Sequence, residues 1–488
     1  MTSTNDMTQV IPQAADYVRI LPEIVLAIFG MIVMVLDPFI DERHNQKMLG
    51  MVALVGSLAA LVATLFQSQY PGPGFWNMVQ VDSFSVFFHF LVAAITVVVI
   101  LTSFEYMQVQ GIRAGEYYAL VLFSAVGMSL MSSAVELVLI FIALEISSIA
   151  TYILAGFRRR AAISSESSLK YFLLGSFATA FFLYGVALMF GATGSTSIPT
   201  IADALHSQDI PLLAYLGVAF MFVGLGFKVA AAPFHVWTPD VYEGAPAPVV
   251  GFMSTAPKAA AFAVLLRVMF QADAPGRLWL IWVVAALSMT LGNIGALVQD
   301  NVKRLLAYSS IAQAGYMLIA FGALPNNGIA AVMFYTATYA AMNVGAFAVI
   351  SHISGEGERY VTLEDYEGLG RRSPLLAGIL TIFLLSLIGI PITGGFFAKF
   401  YVFSAALQAN LVGLVIIGVL NSAVASYYYL RLIVVMYMRE AREDVPVSPI
   451  PVGLGAALAI SLAATIYLGV LPGRLLDYAA RTATEWTR

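Results

Sequence analysis

Four ionisable side chains, Glu145, Lys228, Lys258 and Lys399, interrupt long apolar runs. Each costs at least about 2.5–3.5 kcal/mol at the centre of a bilayer. Groups of this kind normally face a partner charge or a water-filled cavity. Low-dielectric surroundings penalise the charged form of amine and carboxyl alike. Both are thereby brought nearer the balance between protonated and deprotonated states that a proton carrier needs. One buried glutamate with one buried lysine could equally be a structural ion pair that fixes helix packing. Three lysines and one glutamate cannot all be paired, so at least two amines need water, a neutral state or a carbonyl partner. As a set, they point to proton transfer.

His235 follows Lys228 across a proline, Pro233. An ordinary histidine pKa near 6.5 suits a proton relay. A histidine bonding the carbonyls freed at a helix break accounts for it equally well. Asp240 and Glu243, in the turn beyond, could gather protons or simply be solvated. Ser309, Ser310 and Gln313 could hold water or bond across helices. Glu23, His89 and Glu136, near helix ends or alone, read as structural.

The elements that position these residues are membrane helices. The 488 residues are 60% hydrophobic and only 11% charged, against about 25% charged in a soluble protein. Apolar runs of bilayer-crossing length predict about fourteen spanning helices, at 20–37, 48–66, 82–103, 116–132, 135–156, 168–192, 211–232, 246–270, 278–298, 304–323, 328–351, 375–402, 409–438 and 450–472. The fold class is thus an all-α membrane protein, one polytopic domain over 1–488. Pro233 breaks the seventh helix just after Lys228, and "GIPITGGFFAKF" (Gly389 to Phe400) interrupts the twelfth, ahead of Lys399. These helices differ by five. "SSIA" also occurs at Ser147 in the fifth helix and at Ser309 in the tenth. An offset of five makes the second copy inverted, a habit of transporters. Two five-helix repeats are expected, over 116–270 and 278–438.

Fourteen Lys and Arg fall in one set of alternate loops and five on the other side. The positive-inside rule makes the first set cytoplasmic and puts both termini outside. Arg267 and Arg431 lie within reach of helix ends and can snorkel. The "MTSTNDMTQV" start has no basic region of a cleaved signal peptide. The net charge of -4 carries no nucleic-acid footprint. The absence of cysteine excludes disulfides and Cys-ligated clusters. The five histidines are never at metal-ligand spacing, so no metal is expected. "GLGF" and "GLGR" lack the strand context of a nucleotide fingerprint, and no Ser/His/Asp nucleophile constellation is present.

Three groups of motifs carry a resemblance. They are "ALEISSIATYILAGFRR" (Ala143 to Arg159), "FKVAAAPFHVWTPDVYEGAPAPVVGFMSTAPKAAAF" from Phe227, and "NVKRLLAYSSIAQAGYM" (Asn301 to Met317) with "PITGGFFAKF". The chain resembles, along its whole length, the antiporter-like membrane subunits of proton-pumping NADH:quinone oxidoreductase (respiratory complex I), its N-type members most closely. The resemblance implies that Glu145 is the fifth-helix glutamate and Lys228 its seventh-helix partner. Lys258 would be the central relay lysine, Lys399 the lysine of the distal half-channel, and His235 the histidine beyond the break. It implies no cofactor in this chain, with FMN, iron–sulfur clusters and quinone held by other subunits. M-, K-, J- and A-type membrane subunits would be neighbours. An M-type subunit and an Mrp-type sodium/proton antiporter are the alternatives the resemblance leaves open.

Overall fold

The computed structural model describes residues 12–40, 42–113, 115–207, 211–271, 277–323, 327–441 and 448–486. The N-terminal segment read for a signal peptide lies outside them, as do Arg442 and Arg488. The side chains of Arg43, His44 and Arg277 are likewise outside the description.

The fourteen predicted segments are all helical. They are α1 (Leu21–Leu36), α2 (Glu42–Gln67), α3 (Ser83–Val109), α4 (Gly115–Ser133), α5 (Leu137–Ala155), α6 (Ala162–Thr193), α7 (Leu212–Val229), α8a (Ala247–Met253) with α8b (Ala256–Gln271), α9 (Arg277–Leu297), α10 (Val302–Ile319), α11 (Gly328–Ile353), α12a (Pro374–Ile388) with α12b (Gly394–Gln408), α13 (Val412–Met438) and α14 (Val452–Val470). Twelve candidate spans among the described residues are long and apolar enough to cross a membrane; α4 and the two halves of α12 fall outside that set. The chain is therefore an all-helical, multi-pass membrane protein. Its only described sheet is a two-stranded hairpin, Gly72–Gly74 with Val79–Val81.

The helix starts are written in polar residues. Asp82 caps α3 by accepting from the Ser85 amide. Glu136 caps α5 by accepting from Leu139 N–H. Asn301 caps α10 by accepting from Lys303 and Arg304 N–H. Each satisfies donors that a helix start leaves orphaned. Beside two of these caps the backbone forms matching ladders. Leu137 N–H donates to Thr196 O, and Ile198 N–H to Val135 O; Val302 N–H donates to Val361 O, and Leu363 N–H to Asp300 O. Each atom of the second ladder lies the same number of residues along the chain from its counterpart in the first.

The centre is α8, buried along its whole length, with α10 and α11 nearly so. Helices such as α6 and α13 present large apolar side chains outward, Phe177, Tyr184, Leu420 and Tyr427 among them. That surface suits lipid, where helices need no polar face.

Candidate functional site

Each of the three central lysines stands beside an interruption in its helix. Lys228 is in the last turn of α7, which Ala230 ends in the left-handed region at φ 59°. Lys258 follows Pro257 at the start of α8b, after the Ser254–Thr255 turn. Pro257 has no N–H to continue a helix ladder and is tolerated in a first turn. Lys399 lies in α12b, whose partner α12a ends at Gly389 with φ 94°. Broken helices free carbonyls that would otherwise be spent on the helix itself. In apolar surroundings such carbonyls need donors.

All three amines are buried, and all three rest on neutral oxygens. Lys228 Nζ donates to Ser148 Oγ at 2.9 Å, and that hydroxyl donates onward to Leu144 O at 2.6 Å. Lys258 Nζ donates to Ser310 Oγ at 2.6 Å and Ser310 O at 2.9 Å. Tyr339 Oη donates to the same hydroxyl at 2.7 Å. Lys399 Nζ donates to Ile388 O at 2.8 Å and Leu387 O at 3.2 Å, the carbonyls freed at the α12 break. It also donates to Ser422 Oγ at 2.8 Å and lies 4.7 Å from the centre of the Tyr316 ring. The two "SSIA" copies thus do the same job: the second serine of each accepts a buried amine.

Glu145 lies on α5 three residues before Ser148. Its Oε1 is buried without a hydrogen-bond partner. Lys228 bonds Ser148 and not this carboxylate, so the Glu145–Lys228 pair is open.

Between Lys258 and Lys399 runs a row of polar groups on α10. Ser310 holds Lys258. One turn on, Gln313 Nε2 donates to Leu387 O at 3.3 Å, the carbonyl that Lys399 also bonds. Tyr335 Oη donates to Gln313 Oε1, and Ser309 Oγ bonds Tyr429 Oη. No bond joins Ser310 to Gln313.

His235 sits apart from these bonds. Its ring is half-buried, its Nδ1 has no partner, and burial holds its pKa below the ordinary 6.5. Asp240 and Glu243 are not free loop charges. Asp240 accepts from Lys170 at 2.7 Å and Arg304 at 2.6 Å; Glu243 accepts from Arg304 at 2.8 Å. For Asp240, burial pushes the pKa up, but the bonds from Lys170 and Arg304 outweigh it and hold the net value below the ordinary 3.8.

Sequence reasoning missed Glu358. This loop carboxylate is buried between two cations, Lys303 at 2.7 Å and Arg158 at 2.8 Å. Tyr106 Oη donates to it at 2.8 Å, and the Ala247 amide, where α8a starts, at 2.7 Å. Lys303 and Arg158 read as loop charges in the sequence. Nothing local marks Glu358, because its partners come from four other elements. Arg267 is buried, donating to both Asp82 oxygens at 3.0 Å and to Ser132 O at 2.9 Å. Arg431, part-exposed, pairs with Asp300 at 2.8 Å.

Residues 134–425 match the family described as "NADH:quinone oxidoreductase/Mrp antiporter, TM". The chain is 68% identical over 482 residues to NADH-quinone oxidoreductase subunit N 2 of Koribacter versatilis (strain Ellin345), covering 97% of this chain and 98% of the relative. Among solved structures, a chain of respiratory complex I from Thermus thermophilus with bound aureothin superposes with a TM-score of 0.81 at 38% identity, over 94% of this chain and 99% of that one. A chain of the Mrp complex from Dietzia sp. DQ12-45-1b gives the same TM-score at 21% identity, over 96% and 97%, and so shares the fold alone. On these likenesses and the motifs at Glu145, Lys228, Lys258 and Lys399, the chain belongs to the family of NADH:quinone oxidoreductase N subunits.

Proposed function

We propose that this chain relays protons across the membrane as the N-type subunit of an H+-translocating NADH:quinone oxidoreductase, driven by quinone reduction in other subunits. The relay residues are Glu145, Lys228, Lys258 and Lys399, with His235 beside the α7 break. When Glu145 turns toward Lys228, its charge favours the protonated amine. When it turns away, that support is lost, and Lys228 passes its proton toward Lys258. The proton then moves along the Ser310–Gln313 row to Lys399 and on to the outside.

FMN, iron–sulfur clusters and quinone belong to other subunits in this reading, and M-, K-, J- and A-type membrane subunits adjoin this one. The chain crosses the bacterial inner membrane fourteen times, as two inverted repeats over 116–270 and 278–438, with both termini outside. The matching backbone ladders beside Glu136 and Asn301 support the repeats. They join corresponding places in the two halves, and equal spacing is what duplication of a five-helix unit leaves behind.

The observation that carries the reading is that three buried amines all rest on hydroxyls and carbonyls, with no carboxylate bonded to any of them. An amine in such a setting can give up its proton without leaving a bare countercharge. The test is Lys258→Ala in assembled complex. Proton pumping by sealed vesicles is expected to fall at least tenfold at unchanged complex content, with NADH-driven quinone reduction slowed because the two are coupled. Wild-type pumping and reduction together would overturn the relay. Sodium-dependent transport in vesicles lacking NADH dehydrogenase would instead favour redox-independent exchange.

A further inference from the structure

The first three helices carry a second buried acid that the relay does not use. Glu23, in the first turn of α1, is 4% exposed, and neither of its carboxylate oxygens has a hydrogen-bond partner. Its Oε1 lies 3.3 Å from Nε2 of His89, a fully buried residue on α3. The sequence reading took both as structural residues; the fold brings them together.

The surroundings of the His89 ring are unusual. Nδ1 lies 2.8 Å from Gln67 Oε1, and Nε2 lies 2.9 Å from Ser129 O. The orientation of the Gln67 amide is fixed by its other bond. Its Nε2 donates to Arg19 O, a carbonyl that can only accept, so the oxygen end faces the ring. Both ring nitrogens therefore meet acceptors. A neutral imidazole has one N–H and leaves one of these contacts without a proton; an imidazolium satisfies both. Glu23 supplies the countercharge to the imidazolium, and is also the alternative seat for the proton. The couple holds one proton on either partner, and releasing it leaves a single negative charge.

A route to water adjoins the couple. A cavity of about 1030 Å³ is lined by Ser68, Asp82, Val86 and Arg267, among others. Ser68 follows Gln67 in the chain, and Val86 precedes His89 by one turn of α3. Arg267, paired with Asp82, donates to Ser132 O. Ser132 Oγ donates to Ser129 O at 2.8 Å, the carbonyl that faces His89. Ser132 thus stands between the cavity wall and the ring, its backbone oxygen bonded to Arg267 and its hydroxyl to the carbonyl that faces His89. The charged groups on neighbouring elements are Asp82 and Arg267, paired with each other, Arg19, paired with Asp16, and Glu485, which lines the cavity and accepts from Ser83 Oγ. The cavity lies at the start of α3, whose far end carries Tyr106 bonded to Glu358. It therefore serves the membrane face opposite the Glu358 cluster.

We propose that Glu23 and His89 form a further proton-exchange site, loaded and emptied through the cavity at Asp82 and Arg267. The site's place in transport rests on the proton-translocating reading above; its titration does not. Two measurements on purified, assembled complex test it. In pH-jump infrared difference spectra, the wild type is expected to show a protonated-carboxyl band that Glu23→Gln abolishes and His89→Gln displaces. In sealed vesicles, normalised to complex content, Glu23→Gln is expected to lower pumping at least fivefold and Glu23→Asp to restore it to within twofold of wild type. A purely structural role would make Gln and Asp equivalent and leave no band to lose. The proposal is overturned by a Glu23→Gln spectrum identical to wild type, or by wild-type pumping in that variant. The infrared result stands whatever Lys258→Ala does, so failure of the relay and failure of this site are separate outcomes.

Discussion

Two kinds of buried charge coexist here. Lys228, Lys258 and Lys399 rest on hydroxyls and carbonyls. Hydrogen bonds to charged groups are worth about 1.5–3 kcal/mol each, comparable with the cost of about 2.5–3.5 kcal/mol for placing an amine at mid-membrane. The amines are held but not locked. Glu358 is the opposite case, clamped by Lys303, Arg158, Tyr106 and the Ala247 amide. Burial alone would push its pKa up. The two cations and the hydrogen bonds outweigh that and hold it below the ordinary 4.5. A carboxylate depressed in the folded state contributes stability above its unfolded pKa, and that stability is lost as pH falls through the folded value. The thermal transition of the purified complex should therefore drop as pH is lowered below the ordinary carboxylate value of 4.5. Glu358→Gln leaves two buried cations without their counterion, which costs about 3–5 kcal/mol. The variant should start from a lower transition temperature and show a flatter pH slope. Parallel slopes for wild type and variant would assign the acid sensitivity elsewhere.

At α12 the helix break does for Lys399 what a side-chain carboxylate would do in a structural ion pair. At α12 the break depends on Gly389, whose φ of 94° an L side chain rarely adopts, and an added Cβ would lie 3.2 Å from Lys399 Cδ. Gly389→Ala therefore incurs backbone strain of about 1–2 kcal/mol and presses on the lysine the break supports. It should lower both thermal stability and pumping of the complex. Gly378→Ala, where an added Cβ meets nothing within 4 Å, is the control and should do neither; equal effects would show that the break is not special.

The breaks at Pro233 and Gly389–Pro391 were legible because proline and glycine announce them locally. The α8 break was written too, in Pro257, but lay inside a run of uniform hydropathy. The "SSIA" repeat was legible as text and slightly misleading as register. Ser147 stands 11 residues after its cap Glu136, and Ser309 only eight after Asn301, a difference close to one helical turn. The candidate lysines were legible because charge in an apolar run stands out. Their serine and carbonyl partners were not, since such groups are common in every helix. Glu358 and the Glu23–His89 couple depend on contacts between distant elements, which no local pattern records.

At the scale of the molecule, charge is sorted by face. The loop after α5 and the starts of α6 and α10 bring Arg158, Arg159, Arg160, Lys170, Lys303 and Arg304 to one side. Asp82, Arg267, Arg19 and the large cavity lie at the other ends of the same bundle. A cytoplasmic surface attracts such a basic set, so this arrangement predicts which way a proton must leave. The chain has no cysteine, so a single introduced thiol reports its own side without background. Arg160 and Arg474 are both exposed. In intact spheroplasts, a membrane-impermeant thiol reagent should label Arg474→Cys and leave Arg160→Cys untouched until the membrane is permeabilised. The reverse pattern would turn the molecule over. The Glu23–His89 couple and its cavity would then face the cytoplasm, as a site of proton uptake, and the Glu358 cluster would sit at the side of release. With the expected pattern, protons from the Lys258–Lys399 row and from the couple leave toward the same outer phase.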